Sequence, residues 1–331
     1  MFHLALMACL AADPSVCAER ILPAPAPLTK ADCEAEATAR TATWITAHPM
    51  LVAGNWQCLP TDSLPALAFS EIAPGVYVHQ ARAEPISPEN RGDIANLSFI
   101  VGDTVAVIDA GGSRALGEEL FAAIRKVTDR PIAYVIITHM HPDHSFGTEV
   151  FAEAGATVIG HENLASGLQR RAETWAESIP RQIGMRALLG TQMRLPDRTV
   201  TKPEEIELGG ATLRLVPVAT AHTDNDLTVY HLQSGTLFSG DLIFADLLPS
   251  LDGSIVGWLA WLAAPPDPMP RQIVAGHGPA PMDWDQATGP IRGYLSALAD
   301  ETRTAIAAGE AMSVAAGHIG TDLRGTWRGF D

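Results

Sequence analysis

Short apolar runs divided by turn residues dominate this chain, and their spacing predicts strands alternating with helices. Met1 to Ala12 is apolar and reads as a buried strand closing at an Asp13-Pro14 turn. It has no Lys or Arg before Arg20 and is short for a secretory leader. Leu6-Met7-Ala8-Cys9 is faintly similar to a lipoprotein cleavage box, and a leader already removed upstream is the alternative. A Pro-Ala connector, 23–27, leads to a helix from about Thr29 to Ala47 that stops at His48-Pro49. A strand from Gly54 to Leu59 follows, and 60–65 reads as a boundary, giving a small module over 1–64 and a main domain over 65–331.

In the main domain the runs 75–78, 95–101 and 105–108 predict strands, the last two joined by a Gly102-Asp103 hairpin turn. A helix over 113–127, a strand over 132–137, a helix over 147–154 and a strand over 156–159 come next. Residues 161–199 read as a long, less regular insertion. Strands resume at 204–208, 211–218, 227–232 and 235–239. A Trp-rich amphipathic segment (254–264), a strand over 272–275 and a helix over about 287–308 complete the pattern. Hairpins followed by strand–helix alternation predict an α/β (α+β) fold of two mixed sheets covered by helices.

The chemistry concentrates after the apolar run Tyr134-Val135-Ile136-Ile137, in Thr138-His139-Met140-His141-Pro142-Asp143-His144. His139 and His141 alternate, so an extended backbone points both the same way. Pro142 biases His141 away from helical geometry, which places these ligands on a loop at a strand's carboxyl end. So many metal-capable groups this close would repel or be desolvated without a cation among them. His222, Asp241 and His277 each lie just past the end of another apolar run. If those strands share a sheet, the ends converge at one rim.

The order His-x-His-x-Asp-His, then His, then Gly-Asp, then Gly-His-Gly resembles the metallo-β-lactamase fold superfamily over roughly residues 70–290. The resemblance implies an αβ/βα four-layer sandwich with two Zn2+ at one edge; iron or manganese are the other metals it allows. It implies that His139, His141 and His222 hold one ion, that Asp143, His144 and His277 hold the second, and that Asp241 bridges them. Asp109, in Val-Ile-Asp-Ala-Gly, matches the aspartate that braces the metal loop. A bridging Asp in place of Cys is the glyoxalase-II-like pattern, whereas 278–331 offers only Arg292, Arg303, Arg324 and Arg328 and no Lys for a glutathione carrier. Leu251-Asp252-Gly253-Ser254, Gly257-Trp258-Leu259 and the Cys-bearing module are similar to the quinoprotein relay system zinc metallohydrolases, relatives of sulfur-oxidation-type hydrolases.

That resemblance implies hydrolysis of a small ester, thioester, lactone or related acyl substrate by a metal-bridging hydroxide, accessory to a quinoprotein dehydrogenase system. Ions about 3.5–4 Å apart lower the pKa of a shared water to about 7. Asp143 is the candidate to orient the nucleophile or carry its proton. The alternatives are a mononuclear iron oxygenase of the persulfide-dioxygenase kind, using His139, His222 and Asp241, and a non-catalytic metal-dependent partner of a redox enzyme. Serine chemistry is disfavoured, because no Gly-x-Ser-x-Gly elbow occurs.

Composition narrows the partners. The formal net charge is −16, which argues against nucleic acid or an anionic membrane surface. No apolar run reaches the roughly 20 residues of a membrane span. Cys9, Cys17, Cys33 and Cys58 all lie in the first sixty residues, away from the His cluster. Their confinement suggests a disulfide-stapled module and a periplasmic location, with a cytoplasmic one if they are reduced. Other candidates receive plainer readings. His161 reads as a surface residue. Trp258 and Trp261 read as core packing, and His3, His48, His79, His231 and His318 have no motif around them. Arg170, Arg171, Arg181, Arg186, Arg194 and Arg198 read as a solvated helix face, or as a flap drawing in an anionic small molecule.

Overall fold

The computed structural model describes residues 1–329. Strands β1 (Phe2–Leu10), β2 (Asp13–Leu22) and β3 (Leu51–Pro60) form an antiparallel sheet in the order β2-β1-β3. Helix α1 (Lys30–Ala47) is started by a capping box between Thr29 and Asp32 and ended by His48. Leu4, Leu6 and Ala8 of β1 share a core with Cys33, Ala37 and Trp44 of α1. Ala5 points the other way and packs into the main core, as period-2 alternation requires.

The expected turn at Asp13-Pro14 is not there. The chain reverses at Ala11-Ala12, and Asp13 already opposes Leu10. Because β2 is an edge strand, the missing N–H of Pro14 costs no ladder bond that the sheet needs. The register sets Cys17 opposite Cys9, and these two form one disulfide. Cys33 of α1 and Cys58 of β3 form the other.

The second sheet holds β4 (Ser70–Ala73), β5 (Val76–His79), β6 (Leu97–Val101), β7 (Val105–Ile108), β8 (Ile132–Ile136), β9 (Thr157–His161) and β10 (Arg198–Val200), in that spatial order. Its pairs are antiparallel from β4 to β7 and parallel from β7 to β10. The third holds β11 (Glu204–Glu207), β12 (Thr212–Pro217), β13 (Leu227–His231), β14 (Thr236–Phe244) and β15 (Gln272–His277), also in chain order. Alternate residues face opposite ways. Val105 and Val107 enter a core with the helices, while Ala106 and Ile108 enter a core shared with Leu213, Leu215 and Val229 of the third sheet. The two larger sheets therefore pack face to face.

Helices cover both outer faces. On the second sheet lie α2 (Arg114–Val127), α4 (Thr148–Glu153) and α5 (Leu164–Ile183); α6 (Met185–Leu188) packs on α2 and α5, and the short α3 (Pro142–Ser145) follows the end of β8. On the third lie α7 (Ile255–Leu262) and α8 (Trp284–Ala307). This is a mixed α/β sandwich with a small antiparallel sheet at its amino end. No helix among the described residues is long and apolar enough to cross a membrane.

The segment expected to be irregular is mostly helix: α5 runs for 20 residues through 161–199. Its buried Leu164, Leu168, Ile179 and Ile183 fall on one face, and the intervening arginines face outward. Pro180 sits within it at an interior position.

The amino-terminal sheet is fastened to the helix layer by a buried charge network. Arg114 donates to Glu118 at 2.8 Å, to Glu153 at 2.6 Å and to the Ile21 carbonyl at 3.0 Å. Arg20 of β2 meets the same Glu118 at 3.1 Å. His3 of β1 sets its ring edge against Phe121 of α2 at 5.6 Å and bonds Thr61 Oγ1 at 2.9 Å.

Two outcomes are expected. Denatured, unreduced protein should expose no titratable thiol, and four after reduction. Four thiols without reduction, in protein from its native compartment, would rule out both bridges. Burial, reinforced by Arg125, lowers the His3 pKa from 6.5 to about 4. The fold resists protonating His3, so its contribution is whole above pH 6.5 and declines as the pH falls toward 4, by up to about 3 kcal/mol. Urea titrations of wild type and His3→Gln should show the wild type losing ground across that window. A pH-independent difference would contradict the assignment.

Candidate metal centre

The centre forms where strand ends from both large sheets meet. His139 follows β8, His222 follows β12, and His277 is the last residue of β15. Asp241 lies inside β14, which runs beyond the expected end at residue 239. The β14–β15 register breaks on both sides of Gly240, and that irregularity accompanies the turn of Asp241 toward the rim. Gly276 is required beside it, because a Cβ there would collide with Asp241 Oδ1. Asp143 and His144 sit on α3, a single helical turn with Pro142 at its start, rather than on open loop. The bias from Pro142 acts on His141, which stays extended as the cap of that turn.

All seven expected residues come together. His139, His141, His222 and Asp241 form one group, and Asp143, His144 and His277 another, with the candidate donor atoms of these groups within 4.8 Å of one another. His141 Nδ1 lies 3.0 Å from His139 Nε2 and 3.0 Å from His222 Nε2. Asp241 Oδ2 lies 3.5 Å from both of those Nε2 atoms. Its other oxygen, Oδ1, lies 3.0 Å from His144 Nε2 and 3.2 Å from His277 Nε2. Asp143 Oδ2 completes the second group, 3.3 Å from His277 and 3.6 Å from His144.

Each imidazole is held from behind. His144 Nδ1 donates to Asp109 Oδ2 at 2.7 Å, His222 Nδ1 to the Ser250 carbonyl at 3.0 Å and His277 Nδ1 to the Ile94 carbonyl at 2.7 Å. His139 Nδ1 contacts Thr138 Oγ1 at 3.1 Å. These four present Nε2 inward. His141 is reversed: Nδ1 faces the group and Nε2 contacts Asp252 Oδ2 at 3.2 Å. Such outer contacts fix the tautomer and aim of a metal-binding histidine.

The donors fit a metal better than they fit each other. His144 Nε2 and Asp241 Oδ1 are buried and 3.0 Å apart, yet neither has a hydrogen-bond partner. Burying two such atoms without a partner is costly unless a cation, proton or metal, is held between them. Burial, with His144 nearby, holds the His139 pKa at about 4, and burial likewise lowers His222 well below its usual value. Both are neutral imidazoles, the form that binds metal. In the second group burial opposes charge on His144 and His277, but Asp241 outweighs it with Asp109 and Asp143, raising His144 well above the usual range and His277 to about 10. Asp143 and Asp241 stay ionised despite burial, because His144 and His277 hold both carboxyls low. A cation would replace those protons.

Asp109 is no donor to either group. It adopts φ +59°, a conformation a non-glycine residue rarely holds. Its oxygens accept from Thr138 N at 2.8 Å and Thr138 Oγ1 at 2.8 Å, besides His144. The brace expected there is what the geometry displays.

Several contributors carry little or no signal in the sequence. Asn96, buried on the way into β6, donates to the Ala275 and Gly278 carbonyls at 3.0 Å each and pins the loop of His277. A polar residue opening an apolar run is its only mark. Asp252 stands out only as part of a short motif, and nothing nearby marks it as the partner of His141. Asp226 braces the loop after His222 by accepting from Thr223 N and Oγ1, and burial pushes its carboxyl up to about 7. His161 is buried rather than on the surface: its Nδ1 accepts from Asn163 N at 3.0 Å, outside the centre. Trp258 is core, with its ring 5.0 Å from that of His222. The arginines are largely paired. Arg170 meets Asp224 and Arg171 meets Asp252, while Arg181, Arg194 and Arg198 meet Glu177, Asp197 and Glu204.

Residues 90–314 match the Metallo-beta-lactamase superfamily. The chain belongs to that family. Among relatives, a probable metallo-hydrolase, YqjP, of Bacillus subtilis is 28% identical over 176 residues, covering 47% of this chain and 54% of that protein. The acyl-coenzyme A thioesterase MBLAC2 of Gallus gallus is 30% identical over 183 residues, covering 51% of this chain and 62% of its own length. The chain thus spans little more than half the length of these curated relatives. A metallo-beta-lactamase from Pontibacter korlensis superposes with a TM-score of 0.55 at 21% identity, over 70% of this chain and 99% of that one. That likeness is one of fold. The enclosed His/Asp cluster of this superfamily member has the donor chemistry that suits a divalent metal.

Asp109→Ala tests the brace. Removing a buried carboxyl group from His144 and Thr138 should cost about 3–5 kcal/mol, and metal content should fall together with stability. Urea unfolding and elemental analysis of the same preparation would show it. Wild-type values for both would remove Asp109 from the centre's support.

Proposed function

We propose that this metallohydrolase-family chain is a dinuclear zinc hydrolase of a small ester, thioester, lactone or related acyl substrate. The carrying observation is the placement of Asp241, one oxygen directed at each group of donors. In this reading His139, His141 and His222 hold one zinc, Asp143, His144 and His277 hold the other, and Asp241 bridges. Nitrogen and oxygen donors without thiolate suit zinc, and they also accept iron or manganese. Two such ions supply a nucleophilic water with a pKa near 7 and a Lewis acid for the acyl oxygen.

The chain's own residues do the rest. Asp143 stays ionised in the rim, less buried than Asp241, and the carboxylate oxygen not turned to His277 would orient a water and accept its proton. His139 and His222, neutral and locked by Thr138 and Ser250, keep the first group rigid. Water adds across the acyl carbon, the C–O or C–S bond breaks, and a carboxylate leaves with an alcohol or thiol. The likeness to MBLAC2, named as an acyl-coenzyme A thioesterase, supports an acyl substrate. A single-iron oxygenase would need only His139, His222 and Asp241, and leaves the second group without a task.

We place the chain in an oxidising, periplasmic setting on the strength of the two disulfides. A role beside a quinoprotein dehydrogenase rests on the Leu251-Asp252-Gly253-Ser254 and Gly257-Trp258-Leu259 segments and on the Cys-bearing module at 1–64.

Elemental analysis should find about two zinc per chain, with hydrolysis of p-nitrophenyl acetate lost on chelation and restored by zinc. Asp241→Ala leaves two cations without their shared charge, so content should drop toward one while the fold persists. Turnover should fall by orders of magnitude. A variant keeping two metals and full turnover would show that Asp241 does not bridge. One iron, with oxygen consumed in the presence of a persulfide, would overturn the hydrolase.

A further inference from the structure

A cavity of about 450 Å3 lies where α5, α6 and the amino-terminal sheet meet. That volume falls within the range of about 300–1,000 Å3 usual for small-molecule pockets. Leu51 of β3 supplies one wall; Ile179 of α5 and Leu188 of α6 supply the other. Phe146 and Trp175 also line it. No Asp, Glu, Lys or Arg contributes to the lining among the described residues, on a chain whose net charge is −16.

The cavity borders the metal centre. Phe146 caps the end of α3, the turn that carries Asp143 and His144. Trp175 stacks edge-on against Phe146 at 6.0 Å and stands 6.5 Å from the ring of His141. One indole thus belongs to the apolar lining and to the rim of the donor cluster at once. At the outer end, Met50 is 70% exposed and Met185 37% exposed. Methionines at an open rim suit a flexible apolar ligand of variable length. An uncharged trough of this size left open to water is otherwise a liability.

We infer that this groove binds the hydrocarbon tail of the acyl substrate, with the acyl carbon at the metal centre beyond Trp175. The inference rests on the acyl-hydrolase reading and deepens it to medium- and long-chain acyl substrates. It also gives the disulfide-bearing sheet a task, because Leu10, Met50 and Leu51 form the part of the groove farthest along the chain from the donors.

The test uses zinc-loaded full-length protein, p-nitrophenyl esters from acetyl to dodecanoyl, and decan-1-ol as a tail without a carboxylate. In the wild type kcat/KM should rise about fourfold per added methylene until the groove is filled. Decan-1-ol should bind by calorimetry, and butan-1-ol should not. Ala176, exposed on α5 at the groove, can take a larger side chain without entering the core. Ala176→Trp should collapse the decanoyl-to-acetyl ratio and abolish decan-1-ol binding, and Met50→Asp on the opposite wall should do the same. Hydrolysis that is indifferent to chain length, with no decan-1-ol bound, would overturn the groove and leave the hydrolase standing. Decan-1-ol bound by wild type and not by Ala176→Trp, with no ester cleaved, would support the groove and overturn the hydrolase. A wild-type dimer that Ala176→Trp splits in sedimentation, again with no decan-1-ol bound, would make the groove a subunit interface and overturn the inference.

Discussion

The candidate metal centre depends on one buried carboxylate that lies outside its two donor groups. Asp109 closes β7 in a left-handed conformation and from there reaches across to the next strand's end. It takes up the first free N–H after β8 and the hydroxyl of the same residue, Thr138, and then the Nδ1 proton of His144. Three hydrogen bonds in a dry setting offset the backbone strain, each worth about 0.5–1.5 kcal/mol or more against a strain of about 1–3 kcal/mol. The result is that His139 and His144, five positions apart in the chain, are referenced to one fixed point.

The support extends outward in layers of different chemistry. Carbonyls of Ser250 and Ile94 hold His222 and His277, so the aim of these side chains follows backbone positions rather than mobile rotamers. Asn96 ties the two large sheets together beside His277. Farther out, Arg114 and Glu118 join the helix layer to the amino-terminal sheet. Pairs this deeply buried add little net stability over apolar packing, but breaking one partner is expensive, and their directional bonds set how the sheet seats.

Much of this was legible in the sequence, for identifiable reasons. The seven candidate donors stand behind apolar runs, and ionisable groups crowded at strand ends are tolerable chiefly around a cation. Strand period and turn chemistry recovered the hairpin at Gly102-Asp103 and the start of α1 near Thr29. The failures share a cause: a local signal was given more weight than a longer one. Asp13-Pro14 reads as a turn until the edge position of β2 is known, and edge position is a property of the whole sheet. The arginines and Pro180 masked α5, although Leu164, Leu168, Ile179 and Ile183 carry helical spacing. Asp252 and Asn96 could not be found at all from spacing. They meet the centre across 111 and 179 positions of chain, and only folding makes them neighbours.

The reversed ring of His141 has a consequence of its own. Its outward nitrogen meets Asp252, and the other oxygen of Asp252 meets Arg171, which is partly exposed on α5. Electron density at one inward-facing nitrogen is therefore set through a relay that ends at the protein surface. Substitution, modification or salt at position 171 changes how strongly Asp252 pulls on the imidazole proton, and so how strongly His141 donates, without altering any atom of the seven. A partly exposed side chain of α5 is thus only two contacts away from the ring that stands at the mouth of the cluster.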